Sequence, residues 1–201
     1  MDKRLSSGRH HLTRDEVTAD QQKRLFKALA EVMGSKGYNN TTVSDLIKHA
    51  RVSRATFYQQ FESKQDCFMA GYARMQRNVL DGLHSGPVSG TPMQRYRTML
   101  RSYLGFLAAD PPTARLYLVE VYAAGPDALR RRMQLQQDFV AGVEAVFSAR
   151  STADRFACRA LVAAISMLVT GALAEGDAES ILALEQPLVE FTERALPEHL
   201  H

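Results

Sequence analysis

Residues 41–61 constrain the fold of this chain more than any other stretch, because they form two short amphipathic segments around a tight turn. Thr42 can cap a first helix, since its hydroxyl can accept from the backbone N–H of Asp45. Ser53 can cap a second helix after the interruption that begins at Arg51. Apolar residues share one face of each segment at helical spacing: Val43, Leu46, Ile47 and Ala50, then Phe57 and Phe61. This layout predicts a helix-turn-helix, whose second helix enters a DNA major groove.

The charge of the chain is divided unevenly along its length. Residues 1–80 hold 14 Lys and Arg against 8 Asp and Glu, whereas residues 81–201 hold 11 against 14. The basic half contains the predicted helix-turn-helix, as a phosphate-binding surface requires. Residues 1–12 are polar and basic without an apolar period, which predicts a flexible arm. That arm is either a solvated tail or a segment that lies against DNA.

Several classes of protein are excluded by what the sequence does not contain. Cys67 and Cys158 lie far apart, so they suit neither a disulfide framework nor a zinc site and fit a reducing cytoplasm. No signal peptide opens the chain, and polar and small residues within the apolar stretch 156–173 favour a buried helix over a membrane span. No phosphate loop, dinucleotide fingerprint, zinc-protease motif or nucleophile elbow occurs. We therefore expect a cytoplasmic protein that is not an enzyme, uses no cofactor or metal and has no membrane partner.

No stretch alternates as a strand would, so the pattern predicts an all-α fold of about nine helices. The first helix begins at Thr13 or Thr18 and ends at Gly37. We expect four parts: a flexible basic arm (1–12), a three-helix helix-turn-helix DNA-binding domain (13–62), a connecting helix (63–83), and a C-terminal helical effector-binding and dimerisation domain (84–201).

Proline and glycine divide the C-terminal half into helices. Thr91 with Pro92 opens a helix that ends near Ala109. Residues 110–112 are expected to break the chain before a helix over 116–124. The next long helix is predicted to end near Arg150, and the one after it to run from Ser151 or Thr152 to about Ala174. The last helix is predicted to run from about Ser180 to Leu196, with Pro187 as a kink or as its true start.

Short motifs within residues 14–72 resemble the N-terminal domain of the TetR (tetracycline-repressor-like) family. They stand in register as Lys36-Gly37-Tyr38, Thr41-Thr42-Val43, Val52-Ser53, Thr56-Phe57-Tyr58, Phe61 and Ser63-Lys64. The resemblance implies a homodimer that binds a palindromic operator on double-stranded DNA, represses transcription and releases the DNA when a small molecule binds the C-terminal domain. A helical DNA-binding dimer without an effector is the alternative.

Nine residues are predicted to contact DNA: Thr42, Arg51, Ser53, Arg54, Ala55, Thr56, Tyr58, Gln59 and Lys64. Arg54 is long and close to the start of the second helix, so it can reach a guanine edge bidentately or contact a phosphate only. Gln59 suits either a base edge or a phosphate, and Ala55 can approach a thymine methyl. The helix N-termini capped by Thr42 and Ser53 can point N–H groups at phosphates.

The resemblance implies phosphate contacts for Thr56, Tyr58 and Lys64. A cation in the first turn of a helix is disfavoured by about 0.3–1 kcal/mol, and a phosphate would offset that cost for Lys64. Arg51 departs from the family, which usually has glycine in this turn. If the position needs a positive φ, arginine costs on the order of 1 kcal/mol there. Either the turn tolerates right-handed backbone or mild strain, or Arg51 adds a phosphate contact.

The helix predicted over 156–173 is apolar almost all round, which requires burial on more than one side. Pairing it and the last helix with a two-fold mate would cover that surface in a four-helix interface. The predicted interface residues are Phe156, Leu161, Ile165, Leu168, Leu184, Leu188 and Phe191.

Tyrosine, phenylalanine and methionine are concentrated before that helix, where they either form ordinary core or line an apolar pocket for a small hydrophobic or aromatic effector. The predicted pocket residues are Met75, Tyr103, Phe106, Tyr117, Glu120, Met133, Phe139 and Met167. Glu120 is either exposed or a buried acid that would favour a cationic ligand.

Overall fold

The computed structural model describes residues 13–84, 89–175 and 178–196, and this part of the chain forms helices without strands. The predicted all-α fold is therefore confirmed, while the predicted arm over 1–12 lies outside the described residues. The α-helices are α1 (Arg14–Asn40), α2 (Val43–Ala50), α3 (Arg54–Gln60), α4 (Lys64–His84), α5 (Pro92–Ala109), α6 (Pro111–Leu118), α7 (Pro126–Phe147), α8 (Thr152–Glu175), α9 (Ala178–Leu182) and α10 (Glu185–Ala195). A short 3-10 helix (Glu120–Ala123) connects α6 to α7.

Capping residues begin the helices at the positions that local chemistry predicts. The Thr13 hydroxyl accepts from the Glu16 N–H at 3.2 Å, and the Glu16 carboxylate accepts from the Thr13 N–H at 2.7 Å. This capping box selects the earlier of the two predicted starts for α1. Thr91 caps α5 in the same way with Gln94, so the predicted helix from Pro92 to Ala109 is confirmed.

Prolines mark two helix starts in the C-terminal half. The break predicted at residues 110–112 is present, since α5 ends at Ala109 and Asp110 is not helical. The predicted start of the next helix is wrong, because Asp110 accepts from the Thr113 N–H at 3.3 Å and α6 begins at Pro111 instead of near Leu116. Proline lacks an N–H that the first turn of a helix leaves unpaired anyway, so Pro111 and Pro112 are well placed there. The predicted last helix is divided into α9 and α10, and Pro187 lies in the first turn of α10.

Two clusters of buried side chains hold the helices together. The second cluster joins α5, α7, α8 and α10, with Tyr96 and Phe147 at its centre. The first joins α1 to α4 with α6 and the 3-10 helix, and it contains Phe57, Tyr72 and Tyr117. The rings of Tyr72 and Tyr117 stack with centroids 5.4 Å apart. The helix-turn-helix therefore shares a core with α6, a helix of the predicted effector-binding domain.

Candidate DNA interface and effector cavity

The start of α2 is held by a network around Asp45. The Thr42 hydroxyl accepts from the Asp45 N–H at 3.2 Å, and the Asp45 carboxylate accepts from the Thr42 N–H at 2.8 Å. The Lys36 ammonium lies 2.7 Å from the same carboxylate. Lys36 and the hydrogen bonds from Thr42 hold the pKa of Asp45 well below its usual range. The predicted Thr42 cap is confirmed, and the turn between α1 and α2 is fixed by charge as well as by capping.

Helix α3 presents a polar face to solvent and an aromatic face to the core. Ser53 caps it by accepting from the Thr56 N–H at 3.0 Å. Phe57 is fully buried and Phe61 is 5% exposed, as their spacing predicts. Arg54, Ala55, Tyr58 and Gln59 are exposed, whereas Thr56 is half-buried with its hydroxyl 2.8 Å from that of Ser53. The Arg54 guanidinium donates to the Ser44 hydroxyl at 2.9 Å, which ties α3 to α2.

Arg51 has the left-handed backbone that its position in the turn requires. Its φ is 54° and its ψ is 46°, and its N–H donates to the Ile47 carbonyl. The alternative of a right-handed turn is therefore wrong. The carbonyl of Arg51 accepts from the Arg24 guanidinium of α1 at 3.2 Å, and the adjacent Ala50 carbonyl accepts at 3.0 Å. The side chain of Arg51 is exposed, and its contact with a phosphate stays a prediction.

Lys64 is engaged inside the protein. Its ammonium donates to the carbonyls of Tyr38 at 2.7 Å and Thr41 at 2.9 Å, and it lies 4.2 Å from the centre of the Tyr38 ring. Burial lowers the pKa of this half-buried lysine. Carbonyl oxygens at the end of α1 thus offset the unfavourable position of a cation in the first turn of α4. Sequence spacing could not reveal these partners, and a phosphate contact by Lys64 stays a prediction.

A cavity of about 60 Å³ lies between α5, α7 and α8. Most of its lining is aliphatic or aromatic and comes from the second core cluster. Of the eight predicted pocket residues, Tyr103 and Phe139 line it, with ring centroids 5.3 Å apart. Burial raises the pKa of Tyr103 to about 12, with a small opposing effect from the nearby charge of Arg132.

Three other predicted pocket residues line a different groove, and two lie on the surface. Met75, Phe106 and Tyr117 border a groove of about 430 Å³ between α1, α4, α5 and α6. Met133 and Met167 are 56% and 74% exposed, so their assignment to the cavity is wrong. Helical spacing identifies which residues share a face but not which neighbour that face meets.

Glu120 lies at the junction with α1. It is half-buried, and its carboxylate accepts from the backbone N–H of Tyr38 at 3.0 Å. Gly37, which precedes Tyr38, has a φ of 79° and turns the chain toward this contact. The carboxylate does not line the cavity, so the assignment of Glu120 to the pocket is wrong, and with it the alternative of a buried acid that favours a cationic ligand there.

Arg132 is the cavity residue that sequence reasoning missed. It is 8% exposed and donates to the hydroxyls of Tyr122 at 3.1 Å, Ser166 at 3.2 Å and Thr170 at 3.2 Å. A signal was available, because Arg132 interrupts an apolar stripe of α7 that contains Ala128, Leu135 and Phe139. A charged residue at a core-facing position indicates either a buried polar network or a ligand site.

The predicted interface residues divide between the core and the surface. Leu161 is fully buried and Leu188 is 2% exposed, because both pack in the second core cluster, so their assignment to the interface is wrong. Ile165 and Leu184 are partly buried there. Phe156, Leu168 and Phe191 are 68%, 47% and 43% exposed. Helix α8 also exposes a continuous stripe of apolar and small residues at helical spacing: Phe156, Ala160, Ala163, Met167, Gly171 and Ala174.

By length and composition alone, helix α8 is apolar enough to cross a membrane. It packs against α6, α7, α9 and α10 in this fold. A single helix of this kind is weak evidence of a membrane protein, since the core helices of soluble proteins can have the same length and composition. In the described residues no group of three or more His, Cys, Asp or Glu side chains is placed to hold a metal ion.

Comparisons with known proteins agree with the predicted resemblance. Residues 25–70 match the family described as bacterial regulatory proteins, tetR family. The HTH-type transcriptional activator FasR from Mycolicibacterium smegmatis is 27% identical over 118 residues, which are 58% of this chain and 52% of that protein. The chain thus spans about half the length of this curated relative.

Solved structures share the fold over almost their whole length. The fatty acid degradation regulator FadR from Bacillus halodurans superposes with a TM-score of 0.71 at 16% identity, covering 86% of this chain and 94% of that one. The FadR regulator from Bacillus subtilis in complex with stearoyl-CoA gives a TM-score of 0.68 at 17% identity, covering 85% and 96%. At such identities these likenesses show a common fold.

Proposed function

We propose that this chain, which belongs to the TetR family of transcriptional regulators, binds a palindromic operator on double-stranded DNA as a homodimer and represses transcription. It releases the operator when a small hydrophobic or aromatic effector occupies the cavity. The observation that carries the proposal is the exposed face of α3. Arg54, Ala55, Tyr58 and Gln59 form that face, beside two capped helix N-termini. Such a face suits a major groove, and the N-termini suit phosphates.

The proposed operator follows from the geometry of this face. Arg54 would leave the Ser44 hydroxyl for a guanine edge, an exchange between two exposed partners. Two α3 helices about 34–36 Å apart in a dimer would read adjacent major grooves directly. Selecting bound fragments from genomic DNA with the full chain tests this directly. Enrichment of a palindrome with half-sites about one helical turn apart is the expected outcome, and enrichment without two-fold symmetry would contradict it.

Dimerisation is proposed through the exposed stripe of α8 and the adjacent Phe191 of α10. An apolar stripe of this length suits burial against a two-fold copy. Met167→Glu would place a charge in the middle of the stripe and should give a monomer by light scattering at micromolar concentration. Val17→Glu, at an exposed apolar residue of α1, is the control and should stay dimeric. A monomeric wild type would contradict the proposal.

The 3-10 helix supports a route between the cavity and the DNA-binding region. Its Tyr122 hydroxyl accepts from Arg132 at the cavity, and its Glu120 carboxylate accepts from the Tyr38 N–H at the end of α1. The carbonyl of Tyr38 in turn accepts from Lys64 at the start of α4. A ligand that displaces Tyr122 from Arg132 would therefore shift an element that also holds α1. Such a shift would alter the separation of the two α3 helices in a dimer.

Glu120→Ala tests this route. The variant should bind operator and effector as the wild type does, but effector should release less DNA, as measured by fluorescence anisotropy of labelled operator. Glu190→Ala, at an exposed glutamate of α10, is the control and should respond normally. Full release of operator from Glu120→Ala would show that the coupling runs elsewhere.

Two other functions stay open to experiment. A DNA-binding dimer without an effector predicts that no hydrophobic or aromatic compound raises the melting temperature, whereas a native-state ligand must raise it. Activation of transcription in place of repression is the second alternative, because the relative FasR is described as a transcriptional activator. A reporter placed downstream of the selected operator decides this second question, because removing a repressor raises its expression and removing an activator lowers it.

A further inference from the structure

The cavity contains a buried positive charge without a carboxylate partner. Arg132 is 8% exposed, and its guanidinium carries a positive charge. Among the described residues, the ion pairs within 4 Å involve other cations and do not include Arg132. Burying an unpaired charge is costly, so the cation needs compensation from its surroundings.

Three hydroxyl groups provide part of that compensation. The Arg132 Nε donates to Tyr122, and its Nη2 donates to Ser166 and Thr170. Burial raises the pKa of the nearby Tyr72 hydroxyl to about 12, and the Arg132 guanidinium opposes that rise. The guanidinium also lies 5.2 Å from the centre of the Tyr122 ring, which is itself 60% exposed. The cation therefore sits at the edge of an apolar cavity, covered on one side by a ring that can move toward solvent.

We propose that the cavity binds a carboxylic acid with an apolar tail, and that Arg132 donates to its carboxylate. The inference rests on the proposed function and deepens it, since it names the chemical class of the effector. A carboxylate carries a single charge and matches the guanidinium fork bidentately. A phosphate dianion would leave one charge uncompensated beside a single arginine, so a monoanion fits this site better.

The size of the cavity adds a mechanical consequence. A volume of about 60 Å³ receives only a few atoms, so an alkyl tail must separate α7 from α5 or α8 as it enters. The carboxylate would compete with the Tyr122 hydroxyl for the guanidinium. Entry of the acid and movement of the 3-10 helix are therefore coupled through one side chain.

The test compares ligands that share one tail. Octanoate, octan-1-ol and octanoyl-CoA are titrated into the full chain without DNA by isothermal calorimetry, so that binding is measured apart from operator release. Octanoate should bind about 10- to 100-fold more tightly than octan-1-ol, the range that charge-assisted hydrogen bonds support. Arg132→Met should reduce that ratio to near one, while Arg130→Met, at an exposed arginine of the same helix, should preserve it.

Two outcomes would overturn the proposal. One is equal binding of octanoate and octan-1-ol to the wild type. The other is tight binding of octanoyl-CoA with no binding of octanoate, which would place the anionic group outside the cavity. Failure of the proposed function would give a different result. The protein would then still bind octanoate more tightly than octan-1-ol, but octanoate would not change its affinity for the operator.

A measurement on the wild type keeps the proposal testable if Arg132→Met does not fold. Carbon-13 NMR of carboxyl-labelled octanoate bound to the chain reports the pKa of the bound acid. Contact with the guanidinium should lower that pKa below the value of the free acid, whereas burial among apolar groups alone would raise it. A raised value would refute the contact with Arg132.

Discussion

Replacing Arg51 by glycine should stabilise this protein, contrary to the usual effect of introducing glycine. The left-handed backbone at Arg51, with φ 54° and ψ 46°, costs an L-residue about 1–2 kcal/mol, and glycine avoids that cost. Glycine also makes the unfolded chain more flexible, which costs about 0.4–1 kcal/mol. With the midpoints of these ranges, about 1.5 and about 0.7 kcal/mol, the net expectation is an increase of about 0.8 kcal/mol in the free energy of unfolding. For a chain of this length that corresponds to a rise in melting temperature of roughly 1–4 °C.

Arg51→Ala is the matched control, because it removes the same side chain and keeps the strained backbone. Thermal and urea unfolding followed by circular dichroism should rank the glycine variant above both wild type and the alanine variant. A glycine variant no more stable than the alanine variant would refute the strain argument. The glycine and alanine variants of Arg51 also test its contact with DNA. If Arg51 contacts a phosphate in each subunit of the dimer, the slope of log affinity against log salt should be smaller by about two units for both variants.

Three further results are expected for the DNA-binding region. Arg54→Ala should relax sequence preference, and equal losses of affinity for operator and random DNA would exclude it as a base reader. Lys64→Ala should weaken binding to all DNA sequences alike and flatten the dependence of affinity on salt. It should also lower the melting temperature, because the Lys64 ammonium holds two carbonyls, and an unchanged melting temperature would contradict this structural role. Because the pKa of Asp45 is lowered in the folded protein, its carboxylate contributes stability above the ordinary aspartate pKa, and this stability is lost as the pH falls below it. The melting temperature of Asp45→Asn should therefore fall less at acidic pH than that of the wild type.

Local chemistry predicted the helix-turn-helix well, since its determinants are close in sequence. Thr42 and Ser53 cap helices through N–H groups only three residues away. Phe57 and Phe61 share a face for the same reason, because helical geometry fixes their relative direction. Arg51 was not settled in this way, because the glycine of the family pattern allowed either a positive φ or a right-handed turn, and the structure has the positive φ.

The contacts that join separate elements could not be predicted in this way. Glu120 meets Tyr38 across 82 positions of sequence, and Arg132 meets Ser166 across 34. Periodicity placed Leu161 on an apolar helix but could not decide between a core and a partner subunit as its neighbour. The start of α6 was misplaced for another reason, because a proline pair that stops one helix also suits the first turn of the next.

Lys64 and Arg132 are both cations held by neutral oxygen atoms, yet their partners give them different roles. The partners of Lys64 are backbone carbonyls, which can only accept and which lie at a helix end where negative potential accumulates. The partners of Arg132 are hydroxyls, which rotate and can donate as readily as accept. An anion that approached Arg132 could therefore be bound by the guanidinium and by the hydroxyl of Ser166 together, whereas the Thr170 hydroxyl already donates to the Ser166 carbonyl at 2.7 Å. The carbonyl dipoles that stabilise Lys64 are built into the fold, whereas Arg132 has surroundings that an anionic ligand completes.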